Sequence, residues 1–514
     1  MGNGRMQFDM TFGRSGRAGS RPDDEEPFRI LVLGDFGGRT NAQRTPAFTQ
    51  RLPLAVDVDS LDKVFARLAP RMECTLDGAP LTIDFRSIED FHPDRLFERL
   101  APFAALRKLR AELNDPATYR RAAHALGAGP SAEATPPVAN AEHDAADIER
   151  LLGRKPAVAP VAADATGSSI DRWLRAVVAP HIVPDSAEQR QLTSAVDAAL
   201  AEQMRRVLHH PSFQALESAW RGIDRLTREL ETGKALQLFL IDAPRADLVR
   251  DFEAAADDLT QSALHRHLCG PDTEPPDGHR WSLLVGDYAF GAGAEDVWLL
   301  ARLGVIAAQS GAPLLAAARP ENFGCTGALQ LSERKSWKPD DVPTQARWSA
   351  LRKSAAASYV GLALPRILVR LPYGAGIDPI ESFAFEELPA TREHEAYLWG
   401  NPSFTLALLA AQAFQEEGWA MALEGHVDAT GLPAHVYRED GEARQQPCAE
   451  VLLSESMGEA ILMRGIMPLL SFRNRDAARL LRWQSVADPA SPLQGTWSAT
   501  DSPQSPTRLG GVSP

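Results

Sequence analysis

The stretch Phe28-Arg29-Ile30-Leu31-Val32-Leu33-Gly34-Asp35-Phe36 decides the fold class of this 514-residue chain. Its first six residues are mostly large and apolar, as in a buried strand, and the glycine and aspartate that follow are typical of a tight turn. The stretch Ser282-Leu283-Leu284-Val285-Gly286-Asp287-Tyr288 repeats the pattern. Two explanations are open, a common strand-end turn and a shared origin of two domains. The first is favoured, because glycine permits unusual φ angles and aspartate bonds to the backbone.

Helical periodicity fills the chain between the predicted strands. Apolar spacing predicts helices over residues 61–68, from Pro93 to Leu109, over 192–207 and again from Pro211. Residues 297–309 are apolar nearly all round, which is typical of a helix buried between a sheet and another layer. Further strands are predicted at residues 81–85 and 236–241. Strands that alternate with helices predict an α/β fold with a mixed α+β character.

Composition divides the chain into five parts. Residues 1–26 are expected to be a flexible lead, 27–126 a small domain and 169–488 a larger one. Residues 127–168 are rich in alanine, proline and glycine and are interpreted as a linker. Residues 489–514 are rich in serine, proline and glycine and are predicted to be disordered.

Charge and composition exclude several classes of protein. The chain carries 54 Lys and Arg against 68 Asp and Glu, a formal net charge of −14, which disfavours nucleic-acid binding. No apolar stretch reaches 18 residues, so no membrane span is predicted. The four cysteines lie far apart and include no C-x-x-C pair. The N-terminal residues do not have the apolar core of a signal peptide. Both observations favour a soluble protein of a reducing compartment such as the bacterial cytoplasm.

A search for catalytic and ligand-binding motifs finds nothing above background. The glycines at 34, 37 and 38 match neither G-x-G-x-x-G nor a P-loop. His265, His267 and Cys269 lack a fourth metal ligand, and alternation on a strand or loop is the simpler interpretation. We therefore predict no catalytic residue, no cofactor and no metal. A nucleotide-binding α/β enzyme that uses residues 34–38 is the least favoured alternative.

Two aspartates raise a question of charge. Asp35 and Asp287 each need a partner if they are buried. Arg366 and Arg370 are the candidates, and a buried structural ion pair is a better interpretation than a catalytic one.

The first part of the chain resembles a known family. Pro27-Phe28-Arg29-Ile30-Leu31-Val32-Leu33-Gly34-Asp35-Phe36 and Phe85-Arg86-Ser87-Ile88-Glu89-Asp90-Phe91-His92-Pro93-Asp94 resemble the small subunit of the type VI secretion contractile sheath. This resemblance covers residues 27–121.

The second part resembles the large sheath subunit over residues 190–485, and more strongly. The long motifs are Leu208-His209-His210-Pro211-Ser212-Phe213-Gln214-Ala215-Leu216-Glu217-Ser218-Ala219-Trp220-Arg221-Gly222, Tyr359-Val360-Gly361-Leu362-Ala363-Leu364-Pro365-Arg366-Ile367-Leu368-Val369-Arg370-Leu371-Pro372-Tyr373-Gly374 and Leu398-Trp399-Gly400-Asn401-Pro402. Several long motifs in the family's order make a chance match improbable.

The resemblance implies a structural, non-enzymatic protein whose two subunits are fused here by the linker. In the family the subunits pair and stack into a helical sheath around an inner tube, on a baseplate, and an ATP-driven unfoldase recycles the contracted sheath. The partners expected from the resemblance are other sheath subunits, the inner-tube protein, the baseplate and the unfoldase. Fusion fixes a one-to-one ratio and raises the effective concentration of each half.

The resemblance also assigns roles to residues. Trp220, Arg221, Asp287, Tyr288, Arg366, Arg370 and Trp399 are the candidates for packing and interface contacts. Arg366 and Arg370 are expected to pair with acidic residues such as Glu386 and Glu387. Ile170, Trp173, Leu174 and Val177 lie where the family's unfoldase-recognised helix lies, although an ordinary core-packed helix explains their spacing equally well.

Two departures from the family leave the mode of assembly open. The family's large subunit continues beyond the position of Ser485 with strands that reach neighbouring subunits, whereas this chain has its Ser/Pro/Gly tail. The lead is rich in glycine and arginine, although residues 6–12 alternate as a strand would. The chain is therefore expected either to build the sheath or to act as a non-polymerising accessory that caps or joins standard subunits.

Overall fold

The computed structural model of the chain describes residues 22–38, 47–76, 79–126, 189–270, 280–388 and 393–498. The predicted linker, the alternating residues 6–12 and the stripe from Ile170 to Val177 lie outside these ranges.

The strands alternate with helices along most of the described chain. The strands are β1 (Phe28–Gly34), β2 (Leu54–Val56), β3 (Arg71–Leu76), β4 (Ala79–Asp84), β5 (Leu236–Asp242), β6 (Leu283–Phe290), β7 (Leu314–Ala318), β8 (Val360–Leu364), β9 (Ile367–Leu368), β10 (Trp399–Gly400), β11 (Asp428–Ala429), β12 (Val436–Glu439), β13 (Glu442–Gln445), β14 (Ile466–Ser471) and β15 (Ala478–Leu480). The helices are α1 (Leu61–Leu68), α2 (Pro93–Arg99), α3 (Ala101–Asn114), α4 (Tyr119–Ala125), α5 (Gln189–Leu208), α6 (Pro211–Glu229), α7 (Arg245–Ala255), α8 (Ala263–Cys269), α9 (Ala294–Ser310), α10 (Val342–Arg352), α11 (Pro402–Glu417) and α12 (Glu455–Leu462).

One nine-stranded mixed sheet organises the molecule, in the order β11-β15-β14-β8-β7-β6-β1-β5-β2. The six strands from β14 to β5 run parallel. The strands β2, β15 and β11 are antiparallel to their neighbours and lie towards the edges. The α/β fold with mixed character is thus confirmed.

The sequence of β1 suits a strand that is covered on both faces. All seven of its residues are buried. Phe28, Ile30 and Val32 pack into one hydrophobic core, and Leu31 and Leu33 into another on the opposite face. A parallel strand buried on both faces is nearly continuously apolar, which explains why this stretch lacks the alternation of a half-exposed strand.

Helices cover each face of the sheet. Apolar residues of α1 to α6 and of α11 belong to the core on the Phe28 face. Those of α7 to α10 and of α12 belong to the core on the Leu31 face. On the first face α6 and α11 approach closely at Gly222, where a Cβ would lie 2.8 Å from a ring carbon of Phe404. A larger residue at 222 would therefore push the two helices apart.

Several predicted elements are confirmed by the structure. They are the strands at residues 28–33, 81–85 and 236–241 and at the start of β6, and the helices at 61–68, 192–207 and from Pro211. The nearly all-apolar segment 297–309 is the buried helix α9, which packs against β6 and β7 and against α8 and α10.

The predicted helix from Pro93 to Leu109 is wrong in one respect, because it is two helices. α2 ends at Arg99, the residue after it, Leu100, has a ψ angle of 133°, and α3 begins at Ala101. Pro102 has no N–H to donate to the carbonyl of Glu98, so one continuous helix could not form there. The guanidinium of Arg107 instead donates to the carbonyls of Phe97 and Glu98.

Two further expectations are corrected. His265, His267 and Cys269 lie on helix α8 and not on a strand or loop. The predicted disordered tail is folded over its first ten residues, where Leu493 is 3% exposed and the ring of Trp497 lies 6.2 Å from that of Phe28. Trp497 lies against Phe28 of β1, and Leu493 packs into the core on the Phe28 face next to Gly361 of β8. The average composition of the tail conceals these two contacts.

A single cut in residues 127–168, at an inserted protease site, should leave both halves bound to each other. We expect the two fragments to elute together in size-exclusion chromatography, because β1 is hydrogen-bonded on both sides inside the sheet. Elution as separate fragments in native buffer would contradict this arrangement. As a control, the same cut in a Val32→Asp variant should release the fragments, because the new carboxylate would lie in a fully buried position.

Candidate functional site at the junction of the two regions

The junction is the contact surface between the first region, residues 22–126, and the second region, residues 189–498. Its centre is β1, which pairs along its whole length with β5, from Phe28 opposite Leu236 to Gly34 opposite Asp242. On its other side Ile30 to Leu33 pair with β6. A strand of the first region is therefore an interior strand of the second region's sheet.

Trp220 of α6 fixes the first region to the second by packing and by a hydrogen bond. Its side chain is completely buried, and its indole N–H donates to the carbonyl of Phe36 at 3.0 Å. Its ring centroid lies 4.4 Å from that of Phe65 and 5.7 Å from that of Phe36. A buried tryptophan needs a partner for its N–H, and here a carbonyl of the first region supplies it.

Aromatic contacts extend the junction on both sides of Trp220. The rings of Phe85 and Phe91 in the first region lie 5.9 and 5.5 Å from that of Phe213 in α6. At the start of β1 the ring of Phe28 stacks on Phe414 of α11, with centroids 4.9 Å apart. The junction is thus a hydrophobic core and not a polar contact between two finished surfaces.

Polar contacts at the edge of the junction fix its register. Arg110 of α3 pairs with Asp197 of α5 at 2.5 Å. Asp94 accepts hydrogen bonds from the backbone N–H and the hydroxyl of Ser382. Burial raises the pKa of Asp94, but the hydrogen bonds from Ser382 and Glu381 and the charge of His92 together outweigh it, so the pKa is lowered overall.

The glycine turn after β1 is bonded to protein groups. The N–H of Gly37 donates to the Asp242 carboxylate at 2.9 Å, and its carbonyl accepts from the N–H of Arg71 at 3.0 Å. Arg51 donates to the carbonyl of Asp242 and pairs with Asp247. The turn thus joins β1 to β3 and β5, and the N–H of Gly37 that a phosphate would need is already donated to Asp242.

A buried cluster of charges lies beside the junction, and we call it the Arg370 cluster. Arg370 donates to Glu217 at 2.8 Å and to Glu387 at 2.9 Å. Arg221 donates to Glu217 at 2.8 Å and to the hydroxyl of Tyr373 at 3.1 Å. The carboxylates are completely or almost completely buried, and the two arginines balance their charges.

The ionised state of the Arg370 cluster is held by its own members. Burial raises the pKa of Glu387, but the charge of Arg370 and the hydrogen bonds to the carboxylate outweigh it and hold the pKa well below its usual range. Burial likewise lowers the pKa of Arg370, and the two glutamates raise it overall. His209 lies nearby, with its Nε2 atom 3.7 Å from Glu387.

A second charged group surrounds Arg366. Its guanidinium donates to Glu450 at 2.9 Å and to Glu395 at 3.0 Å, and His394 lies 3.0 Å from Glu450. The ring of Trp399 stacks on His394 with centroids 5.2 Å apart. His394, Glu395 and Glu450 bring donor atoms within 4.8 Å of one another, the spacing of a possible metal site. Arg366 already supplies the positive charge that these carboxylates require.

Asp287 lies inside β6, against the turn of the first region. The strand-end turn expected at Gly286-Asp287-Tyr288 is therefore wrong, because the strand continues to Phe290. A Cβ on Gly34 would lie 3.1 Å from the Cβ of Asp287, so a larger residue at 34 would press against this aspartate. Burial raises the pKa of Asp287 to about 7, with a further increase from the charge of Asp35, while a hydrogen bond with Asn401 lowers it. The neighbouring Tyr288 is buried and its hydroxyl donates to the carbonyl of Ala243.

The predicted partners of the two aspartates are wrong. Arg366 and Arg370 bind Glu450, Glu395, Glu217 and Glu387, and Asp287 bonds with Asn401 instead. Of the two glutamates proposed for these arginines, Glu387 pairs with Arg370. Glu386 instead accepts from the backbone N–H of Ala375.

Sequence analysis missed the acidic members of both charged groups. Glu217 stands four residues before Arg221 on α6, and this spacing is a signal that could have identified that pair. Glu450 lies 84 residues from Arg366, and no local pattern connects them. The predicted residues Trp220, Tyr288 and Trp399 are buried inside the chain, and Arg221, Asp287, Arg366 and Arg370 are partly buried.

Replacement of Arg370 by methionine should lower the free energy of unfolding by about 3–5 kcal/mol, because two buried carboxylates lose their main cation. Chemical denaturation measures the change. Arg228→Met is the matched control, since Arg228 pairs with Asp224 on the same helix but its side chain is 68% exposed. The control should cost less than about 1 kcal/mol. Equal losses in the two variants would contradict a special role of the buried cluster.

Asp287→Asn should flatten the pH dependence of stability. The folded-state pKa of about 7 exceeds the ordinary value of 3.8, so the unfolded state loses its proton first. Wild-type stability should therefore fall from about pH 4 to pH 7 relative to the variant, and the variant should be the more stable above pH 7. Thermal unfolding measured from pH 4 to pH 8 tests this, with the exposed Asp62→Asn as a control for loss of one charge. Parallel curves for wild type and Asp287→Asn would contradict it.

Among the described helices, none has both the length and the apolar character needed to cross a membrane.

Comparison with known proteins finds a matching family model for each of the two regions. The VipB family model, described as EvpB/VC_A0108, tail sheath N-terminal domain, matches residues 190–487. The model described as type VI secretion system, VipA, VC_A0107 or Hcp2 matches residues 14–126. The chain is also 34% identical over 307 residues to the type VI secretion system sheath protein TssC1 of Pseudomonas aeruginosa.

The match to TssC1 covers 58% of this chain and 61% of the relative, so this chain spans less than two thirds of that protein's length. The VipB match covers more than half of the chain, and the VipA match covers the whole of the first region. These sheath proteins are structural and not enzymatic. The chain belongs to the type VI secretion sheath family, with a VipA small-subunit region and a VipB large-subunit region in one polypeptide.

Proposed function

We propose that this chain is a fused protomer of a type VI secretion sheath, which assembles with neighbouring subunits around an inner tube by strand pairing. The observation that carries the proposal is the position of β1, an interior strand between β5 and β6. Small-subunit and large-subunit regions therefore form one folded body, which is what a repeating unit of a helical assembly requires. A helix of such units grows through contacts that do not close on themselves.

The buried junction makes the protomer suited to transmit force. Trp220, Phe65 and Phe213 join the two regions through a closely packed core, and interiors of this kind resist compression. Contraction then consists of movement between protomers and not within them. Fusion keeps the two regions at equal amounts, with domains proposed at residues 27–126 and 169–488.

The proposal includes partners and a location. The protomer would contact other sheath subunits, an inner-tube protein and the baseplate, in the bacterial cytoplasm. The stripe of Ile170, Trp173, Leu174 and Val177 is proposed as the segment that an ATP-driven unfoldase recognises. It lies between the two matched regions and belongs to neither match.

Electron microscopy of the purified chain, alone and mixed with standard sheath subunits, tests the assembly. We expect tubes, and labelled chain should lie along their whole length. The Val32→Asp variant, whose junction should open, is the control that should give none. Discrete particles that bind only the ends of standard tubes would overturn the protomer role and favour the accessory role. Absence of this chain from every tube would overturn both.

A further inference from the structure

The last described stretch of the chain, residues 485–498, is anchored at the start of β8. The guanidinium of Arg352 donates to the carbonyl of Val486 at 2.9 Å and to that of Ala487 at 3.3 Å. The N–H of Val486 donates to the carbonyl of Val360, the first residue of β8, at 2.9 Å. The path of the residues that follow is therefore fixed at one end.

Residues 491–498, which we call the strap, pass from β8 to β1. Leu493 is 3% exposed and lies in the core on the Phe28 face, next to Gly361 of β8. Four residues further on, the ring of Trp497 packs against the same core, 6.2 Å from the ring of Phe28. Because β7 and β6 lie between β8 and β1, the strap crosses three strand spacings, or about 14 Å. It therefore joins the second region to the first.

At β1 the strap covers a group of aromatic side chains. The ring centroid of Phe28 lies 4.9 Å from that of Phe414 and 5.7 Å from that of Trp419. The indole N–H of Trp419 donates to the carbonyl of Glu26, just before β1, at 2.7 Å. Phe28 is completely buried, whereas Trp497 is partly buried. Trp497 thus lies on the outside of this group, over the point where β1 enters the sheet.

Few hydrogen bonds hold the strap in place. To other described residues, the N–H of Gln494 donates to the carbonyl of Ser358 at 2.8 Å, and Ser491 bonds with Ser485. The hydroxyl of Thr496 is buried and has no hydrogen-bond partner among the described groups, which costs free energy while the strap is closed. A segment with so few bonds opens more readily than an interior strand such as β1.

We propose that the strap is a clasp on the junction, which opens and closes while the nine-stranded sheet stays folded. When it is closed, Leu493 and Trp497 tie the start of β1 to β8 and oppose the departure of the first region. When it is open, Phe28 is uncovered and β1 can fray from its start. The inference concerns the protomer itself and goes beyond the proposed role in a sheath. Its readouts are separate from tube formation, so each idea can fail without the other.

Hydrogen–deuterium exchange of the full chain tests whether the strap opens on its own. We expect the amide of Gln494 to exchange at least about tenfold faster than the amides of β1. Urea below the unfolding transition should change the rate at Gln494 little, because opening of the strap exposes little surface. Equal rates and an equal dependence on urea at Gln494 and in β1 would overturn the proposal, because the strap would then open only with the sheet.

The double variant Leu493→Ala, Trp497→Ala tests the hold on β1. The β1 amides should exchange about tenfold faster than in wild type, whereas the amides of α7, which packs on the opposite face, should keep their rates. The matched control, Leu329→Ala with Trp337→Ala, removes the same two kinds of side chain away from the strap and should leave β1 unchanged. Unchanged β1 exchange in the strap variant overturns the proposal, as does equal acceleration in β1 and α7.

Thr496→Val should shift the clasp in the opposite direction. A methyl group in place of the unpartnered hydroxyl favours the closed strap, so exchange at Gln494 and in β1 should slow together by about threefold. This variant keeps the test decisive if the double variant does not fold. Slower exchange at Gln494 alone would overturn the coupling between the strap and β1.

Discussion

The main-chain hydrogen bonds on both sides of β1 are the constraint on which the rest of the structure depends. An interior strand cannot leave its sheet without exposing its own N–H and C=O groups and those of both neighbours, and unpaired groups of this kind are costly. The neighbours, β5 and β6, lie more than 200 residues further along the chain. The two regions thus share a core, and neither has a complete sheet face without the other.

The long separation between these strands explains what a covalent connection contributes. Pairing of β1 with β5 closes a large loop, and the entropy of closure rises only slowly with loop length. When two chains must meet, the cost depends on concentration instead. Fusion therefore leaves the contacts of the junction unchanged and alters the concentration at which they form.

The charged groups around Arg366 and Arg370 have a different role. Both arginines belong to the segment that follows β8, where regular structure is short and β9 has two residues. Buried ion pairs contribute little net stability compared with apolar side chains, but one that loses a partner is strongly destabilising. Here they hold irregular chain against α6 and against the loop that contains Glu450, because only one placement satisfies both guanidinium groups.

Helices and strands could be predicted from the sequence better than the contacts between them, such as which side chains form ion pairs. Strand residues 28–33 and helix residues 61–68 follow from local patterns, which depend on a few adjacent side chains. The break at Leu100 was missed because the apolar spacing continues across it, although Pro102 carried the signal. Pairing partners such as Glu450 for Arg366 depend on the path of the whole chain, and acidic residues are too numerous for composition to select one.

The repeated Gly-Asp-aromatic pattern shows the same limit of prediction from local sequence. The pattern was visible in sequence, but its spatial consequence was not: β1 and β6 are adjacent and parallel, with Leu33 opposite Gly286. Asp35, in the turn after β1, therefore acts on Asp287, which lies inside β6 because that strand continues to Phe290.

A junction of this kind also determines where an assembly can move. Rotation of one region against the other would break both ladders of β1 and open the core around Trp220 and Phe213. Such motion would cost a large part of the folding free energy, which is only about 5–15 kcal/mol for a typical domain. In the proposed sheath, movement between protomers would therefore take place at contacts on the outside of this body, such as the sheet edge at β11 and the exposed hairpin of β12 and β13. Those edges, and not the family's shared core, are where a sheath protomer and a non-polymerising relative would differ.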